Sequence, residues 1–101
     1  MATSEIGSVL SETYQLFKSD TCGFCYRVRS YVDQLGMDLP LRDVQHDQEA
    51  FRELLQGGGR STVPCLRIER DTGQGKEVEW MYESLDIMRY LGSQQGSTST
   101  A

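Results

Sequence analysis

Two cysteines three positions apart, Cys22 and Cys25, stand in the stretch "KSDTCGFCYRVRS" just ahead of a helical pattern. Such a pair can exchange electrons through a disulfide, form half of a metal site, or pack as two small apolar residues. Exchange needs a thiolate, and a free thiol is mostly protonated at neutral pH. A cysteine at a helix start faces unpaired backbone N–H groups, here those of Gly23, Phe24 and Cys25, and the positive end of the helix dipole, which favours its charged form. Cys22 then reads as the nucleophile. Cys25, one turn in and closer to the core, is placed to attack a mixed disulfide on Cys22 and release the second product. A zinc site drawn from Cys22, Cys25, Cys65 and His46 lacks a second ligand pair at finger-like spacing, so no metal is expected. Cys65 sits in an apolar strand and reads as core filler; His46 reads as a loop residue beside a helix cap.

The elements that must hold these thiols can be read from pattern. "TYQLFK", Thr13 to Lys18, is short, rich in β-formers and stopped by Ser19 and Asp20, as a buried strand would be. Cys25, Val28, Val32 and Leu35 then line one face of a helix ending at Gly36. "LPLRDV" reads as a second strand, parallel to the first because a helix joins them. Asp47 is placed to cap a second helix whose Ala50, Phe51, Leu54 and Leu55 point one way before "GGGR" ends it. After Pro64 the period changes. Cys65, Leu66 and Ile68 oppose Arg67 and Glu69, Val78 and Trp80 alternate with Glu77 and Glu79, and "RDTGQGK" turns between them, giving an antiparallel hairpin. In the last helix Leu85, Met88 and Leu91 fall at helical spacing, with Ser84 to cap and Gly92 to stop it. The order βαβαββα predicts an α/β thioredoxin-like fold: a four-stranded mixed sheet with about three helices.

Composition narrows the function. At 101 residues the chain favours one domain, and no run approaches the roughly 18 apolar residues of a membrane span, so a soluble protein without a membrane partner is expected. The opening "MATSEIGSVLSE" has neither the basic start nor the apolar segment of a secretory signal, which points to a reducing cytoplasm. A net charge of −5 leaves no cluster of cations for phosphates, so nucleic acid is not expected as a partner. Residues 1–12 read as a flexible segment and 93–101, almost wholly Ser, Thr, Gln and Gly, as a disordered tail around a domain at 13–92.

Three separated motifs give this domain a resemblance to the glutaredoxin family: CGFC opening the first helix, Thr62, Val63 and Pro64 before the third strand, and Tyr82, Glu83 and Ser84 before the last helix. The chain is most similar to small bacterial members with a transferase-like Glu-Ser pair, and its "GRSTVP" and "YESLDIMRYL" also resemble the amino-terminal domain of glutathione transferases. The resemblance implies a monomeric glutathione-disulfide oxidoreductase, with Cys22 and Cys25 catalytic and glutathione as reductant. Its partners would be glutathionylated or disulfide-bonded proteins. It further implies a cis Val63-Pro64 bond beside the reactive sulfur, with Thr62, Val63 and Pro64 receiving the cysteinyl part of glutathione and Phe24 walling the tripeptide. Glu83 and Ser84 would take the γ-glutamyl end, and Lys18 or Arg60 the glycyl carboxylate. Gly23 is shared with the CGFS monothiol group, which implies an alternative: a dimer in which each Cys22 and two glutathione thiols hold a [2Fe–2S] cluster. Cys25 and the lack of that group's insertion before the motif favour the redox reading. Conjugation of glutathione to electrophiles is disfavoured, since no helical second domain is expected.

Overall fold

The computed structural model describes residues 11–100, with side chains through residue 94. Strand β1 (Ser11–Lys18) leads through a tight turn into α1 (Gly23–Gln34), then β2 (Leu41–Asp43), α2 (Gln48–Glu53), β3 (Cys65–Asp71), β4 (Lys76–Met81) and α3 (Ser84–Thr100). The sheet order is β2-β1-β3-β4; β1 and β2 run parallel, and β3 is antiparallel to both β1 and β4. This is the expected four-stranded mixed sheet with three helices. β1 starts two residues before Thr13, so Ser11 and Glu12 of the segment read as flexible are paired with Asp71 and Arg70; residues 1–10 lie outside the described residues.

Local signals explain most boundaries. Cys22 holds extended dihedrals as the cap of α1, and the helix closes on Gly36 at φ 70°. There the Met37 N–H bonds the Val32 carbonyl and the Gly36 N–H that of Asp33, the paired hydrogen bonds of a glycine-terminated helix. Asp47 caps α2, its Oδ1 accepting from the Glu49 and Ala50 amides at 3.0 and 3.3 Å. A wider turn of i to i+5 type, Leu54–Gly58, continues α2 until Gly59 reverses the chain at φ 86°.

Strand alternation sends side chains to two cores. Leu16, Leu66 and Ile68 join Val28 and Val32 of α1, Leu39, and Ile87 and Leu91 of α3 on one face of the sheet. Phe17 and Cys65 point the other way, to Ala50 and Leu54, with Val44, Val63, Trp80 and Tyr82 packed at the edge.

Several expectations need correction. Phe51 and Leu55 are exposed, because a single short helix covers this face and only Ala50 and Leu54 reach it. Leu85 is 57% exposed; Leu91 and Met88 face the core as expected, and Ile87, four residues before Leu91, takes the place expected of Leu85. Val78 is exposed on the edge strand β4 while Trp80 is half-buried. Ser84 is the first helical residue; the carbonyl of Glu83 accepts the first helical bond, from Ile87 N–H, which puts Glu83 in the cap position. Gly92 does not end α3. A Cβ there would collide with the Tyr31 hydroxyl, so this glycine lets α3 pass close to α1, and the helix continues to Thr100 through most of the tail read as disordered.

Candidate active site

The sequence from β1 to α1 folds as a turn in which Cys22 N–H bonds the Ser19 carbonyl at 3.2 Å, and the Cys22 carbonyl accepts from Tyr26 N–H one helical turn on. This leaves the Cys22 side chain at the tip of α1. Its Sγ accepts the Cys25 backbone N–H at 3.2 Å and lies 3.7 Å from the Val63 carbonyl, to which the thiol donates. Val63 precedes Pro64 through a cis bond, as the resemblance implies, so the chain before β3 turns its backbone toward the sulfur. Cys22 is partly exposed; Cys25 is 1% exposed. Burial, with the adjacent Cys22 sulfur second, pushes the Cys25 thiol up to about 12. Only Cys22 therefore combines access to solvent with a helix-tip position. Cys65 is fully buried, and burial raises its thiol well above the ordinary range, as suits core filler. All three cysteines are free thiols.

A groove of about 210 Å³ opens beside this sulfur, lined by Phe24, Arg60, Thr62, Val63, Pro64, Tyr82, Glu83 and Ser84. Seven of these come from the sequence analysis and are brought together from three distant segments. Phe24 is 60% exposed and forms an apolar wall, with the Arg27 guanidinium 5.9 Å from its ring centre. Glu83 and Ser84 stand at the start of α3, whose first-turn amides have no partner within the helix. Tyr82 was missed as a lining residue. Its place in the "YES" motif was visible, but its contact with Arg60, 22 residues earlier, was not.

Lys18 is the one expected binding residue that does not line the groove. It is 9% exposed, and its ammonium is held by Asp20 at 2.7 Å and Asp43 at 3.5 Å. The Asp20 contact raises its pKa. Asp43 also binds His46 Nδ1 at 2.8 Å, which pushes its carboxyl down to about 2 and the His46 ring up. Asp20, Asp43 and His46 converge closely enough to resemble a ligand set, but the Lys18 ammonium already sits against both carboxylates, and no cysteine belongs to the cluster. No helix among the described residues is long and apolar enough to cross a membrane.

The glutaredoxin family model matches residues 14–72, more than half of the chain. No curated protein sequence matches it. Among solved structures, a mutant of the thioredoxin-like protein BC3987 superposes with a TM-score of 0.59 at 18% identity, covering 78% of this chain and 99% of that one. A maleylacetoacetate isomerase from Anaeromyxobacter dehalogenans 2CP-1, solved with dicarboxyethyl glutathione and citrate bound, gives 0.61 at 22% identity; the match covers 85% of this chain but 38% of the isomerase. The buckwheat glutaredoxin-glutathione complex gives 0.47 at 28% identity, over 64% of this chain and 59% of that one. A thioredoxin-like sheet, a CGFC pair at a helix tip and the matched family model lead to one assignment: the chain belongs to the glutaredoxin family.

Proposed function

We propose that this protein is a glutathione-dependent thiol-disulfide oxidoreductase that reduces glutathione mixed disulfides of proteins or small molecules, acting as a monomer through its 13–92 domain in the cytoplasm. The supporting observation is one accessible sulfur, Cys22, beside a groove that offers a cation, a carboxylate, a helix start and a turned-out backbone. Glutathione carries the complement of each. Its glycyl carboxylate suits a guanidinium, its cysteinyl amide groups suit the Val63 backbone, and its γ-glutamyl ammonium and carboxylate suit Glu83 and the start of α3.

The chemistry follows from the two thiols. The Cys22 thiolate attacks the glutathione sulfur of a mixed disulfide; a new S–S bond joins Cys22 to glutathione, and the substrate leaves as a thiolate that takes up a proton. A second glutathione thiolate then attacks the glutathione sulfur held on Cys22, restoring the Cys22 thiolate and releasing glutathione disulfide. One reduced glutathione is consumed for each mixed disulfide reduced, and the other half of the glutathione disulfide comes from the substrate. Cys25 offers the other exit, attacking the Cys22 sulfur and releasing reduced glutathione as a Cys22–Cys25 disulfide forms. Cys25 is 1% exposed and burial raises its thiol, which favours glutathione as the resolving thiol.

Reduction of a glutathionylated peptide tests this reading. Cys22→Ser should lower turnover by about a thousandfold or more, whereas Cys25→Ser should retain most of it. Equal loss in both variants would rule out release by glutathione alone, and no reduction by the unaltered protein would overturn the proposal. The cluster-carrier alternative needs one Cys22 from each of two chains and two glutathione thiols, and nothing among the described residues favours it over the redox reading.

A further inference from the structure

The groove contains one guanidinium, and a single side chain determines where it points. Arg60 follows Gly57, Gly58 and Gly59, and Tyr82 grips it in three ways. The Tyr82 hydroxyl accepts the Arg60 backbone N–H at 3.2 Å and donates to the Arg60 carbonyl at 3.0 Å. The guanidinium carbon lies 4.7 Å from the centre of the Tyr82 ring. Stacking on one face of the guanidinium leaves its in-plane N–H groups free to meet a carboxylate as a fork. Among the described residues no carboxylate is ion-paired with Arg60, in contrast to Lys18, whose two carboxylate partners occupy it.

The glycine run has a purpose beyond ending a helix. A Cβ on Gly58 would run into the Tyr82 hydroxyl, and one on Gly57 into the Trp80 ring. The chain thus passes close over these two aromatics, and Gly59 at φ 86° then reverses it to deliver Arg60 to the groove. Tyr82 is itself packed against the buried cluster of Phe17, Ala50, Leu54 and Cys65.

We propose that Tyr82 is a positioning residue that presents Arg60 to the glycyl carboxylate of glutathione, replacing Lys18, which the Asp20–Asp43 pair withdraws from the groove. This rests on the oxidoreductase reading above and specifies its carboxylate subsite. Tyr82 need not touch glutathione; its effect passes through Arg60.

The test compares two substrates, a peptide disulfide-linked to glutathione and the same peptide linked to glutathione whose glycyl carboxylate is an amide. The unaltered protein should prefer the carboxylate form by about tenfold in kcat/KM, with the difference carried by KM. Arg60→Gln should abolish the preference. Tyr82→Leu should remove most of it, and Tyr82→Phe, which keeps the stacking ring but not the hydroxyl, should leave it reduced. Adding Tyr82→Leu to Arg60→Gln should change nothing further, because both act through one contact. Lys18→Gln should leave the preference in place. A full preference in Tyr82→Leu, or its loss in Lys18→Gln, would overturn the proposal. If the unaltered protein reduces neither substrate, the oxidoreductase reading fails instead, so the two failures are distinguishable.

Discussion

The two faces of the sheet are built differently. On one, α1 and α3 cover an aliphatic core in which Leu16, Val28, Leu66, Ile68, Ile87 and Leu91 are all fully buried. On the other, α2 and its wide final turn cover Phe17, Ala50, Leu54 and Cys65, and the margin is aromatic, with Trp80 tilted against Phe17 at 5.4 Å between ring centres. Residues of the groove, Val63 and Tyr82, belong to the packing of this second face, while Cys25 is buried yet belongs to neither cluster. The thickly covered face holds the larger buried core, and the thinly covered one adjoins the groove. A region near a binding groove can be less stable locally without weakening the whole domain.

Cavity-forming substitutions are the strongest challenge to this contrast. Ile87→Ala, between the sheet and α3, should lower unfolding free energy by about 2 to 5 kcal/mol in urea titration. Leu54→Ala removes a side chain of the same size from the thin face, where glycines follow and the turn can settle inward. Its effect should fall at the low end, about 2 kcal/mol, with a larger rise in KM than Ile87→Ala produces. Equal stability losses and unchanged KM would show the faces to be mechanically alike.

A second test uses pH. The His46 hydrogen bond holds the Asp43 carboxyl at about 2, below its ordinary 3.8, so folding gains from its ionised form above about pH 4. That gain is lost as pH falls from about 4 through 2. Asp43→Asn should therefore flatten the fall of Tm in this window, and an unchanged acid limb would exclude Asp43 as its source. The smallest effect is expected at Leu85, whose exposed side chain belongs to neither cluster: Leu85→Ser should stay within about 0.5 kcal/mol.

The sequence made the framework legible where signals are local. Cys22 and Asp47 cap helices, Gly36 closes one, and the alternation after Pro64 marks the hairpin, because each depends on residues only a few positions apart. Which side of a helix faces the sheet was less legible. Leu85 and Ile87 both continue a helical stripe with Met88 and Leu91, and only packing against the sheet selects Ile87. Phe51 and Leu55 were misplaced for the same reason. The groove emerged through its motifs, but the fate of each cation was hidden. Nothing near Lys18 in sequence signals Asp43, 25 residues on, and nothing near Arg60 signals Tyr82.

The cap of α1 links folding to electron transfer. In the reduced protein, the atom that finishes the helix is the sulfur of Cys22, accepting the Cys25 amide. Oxidation ties that lone pair into a disulfide and weakens it as an acceptor, so the helix tip is better held before the sulfur reacts than after. By thermodynamic reciprocity, whatever the cap adds to the reduced form raises the appetite of the oxidised form for electrons.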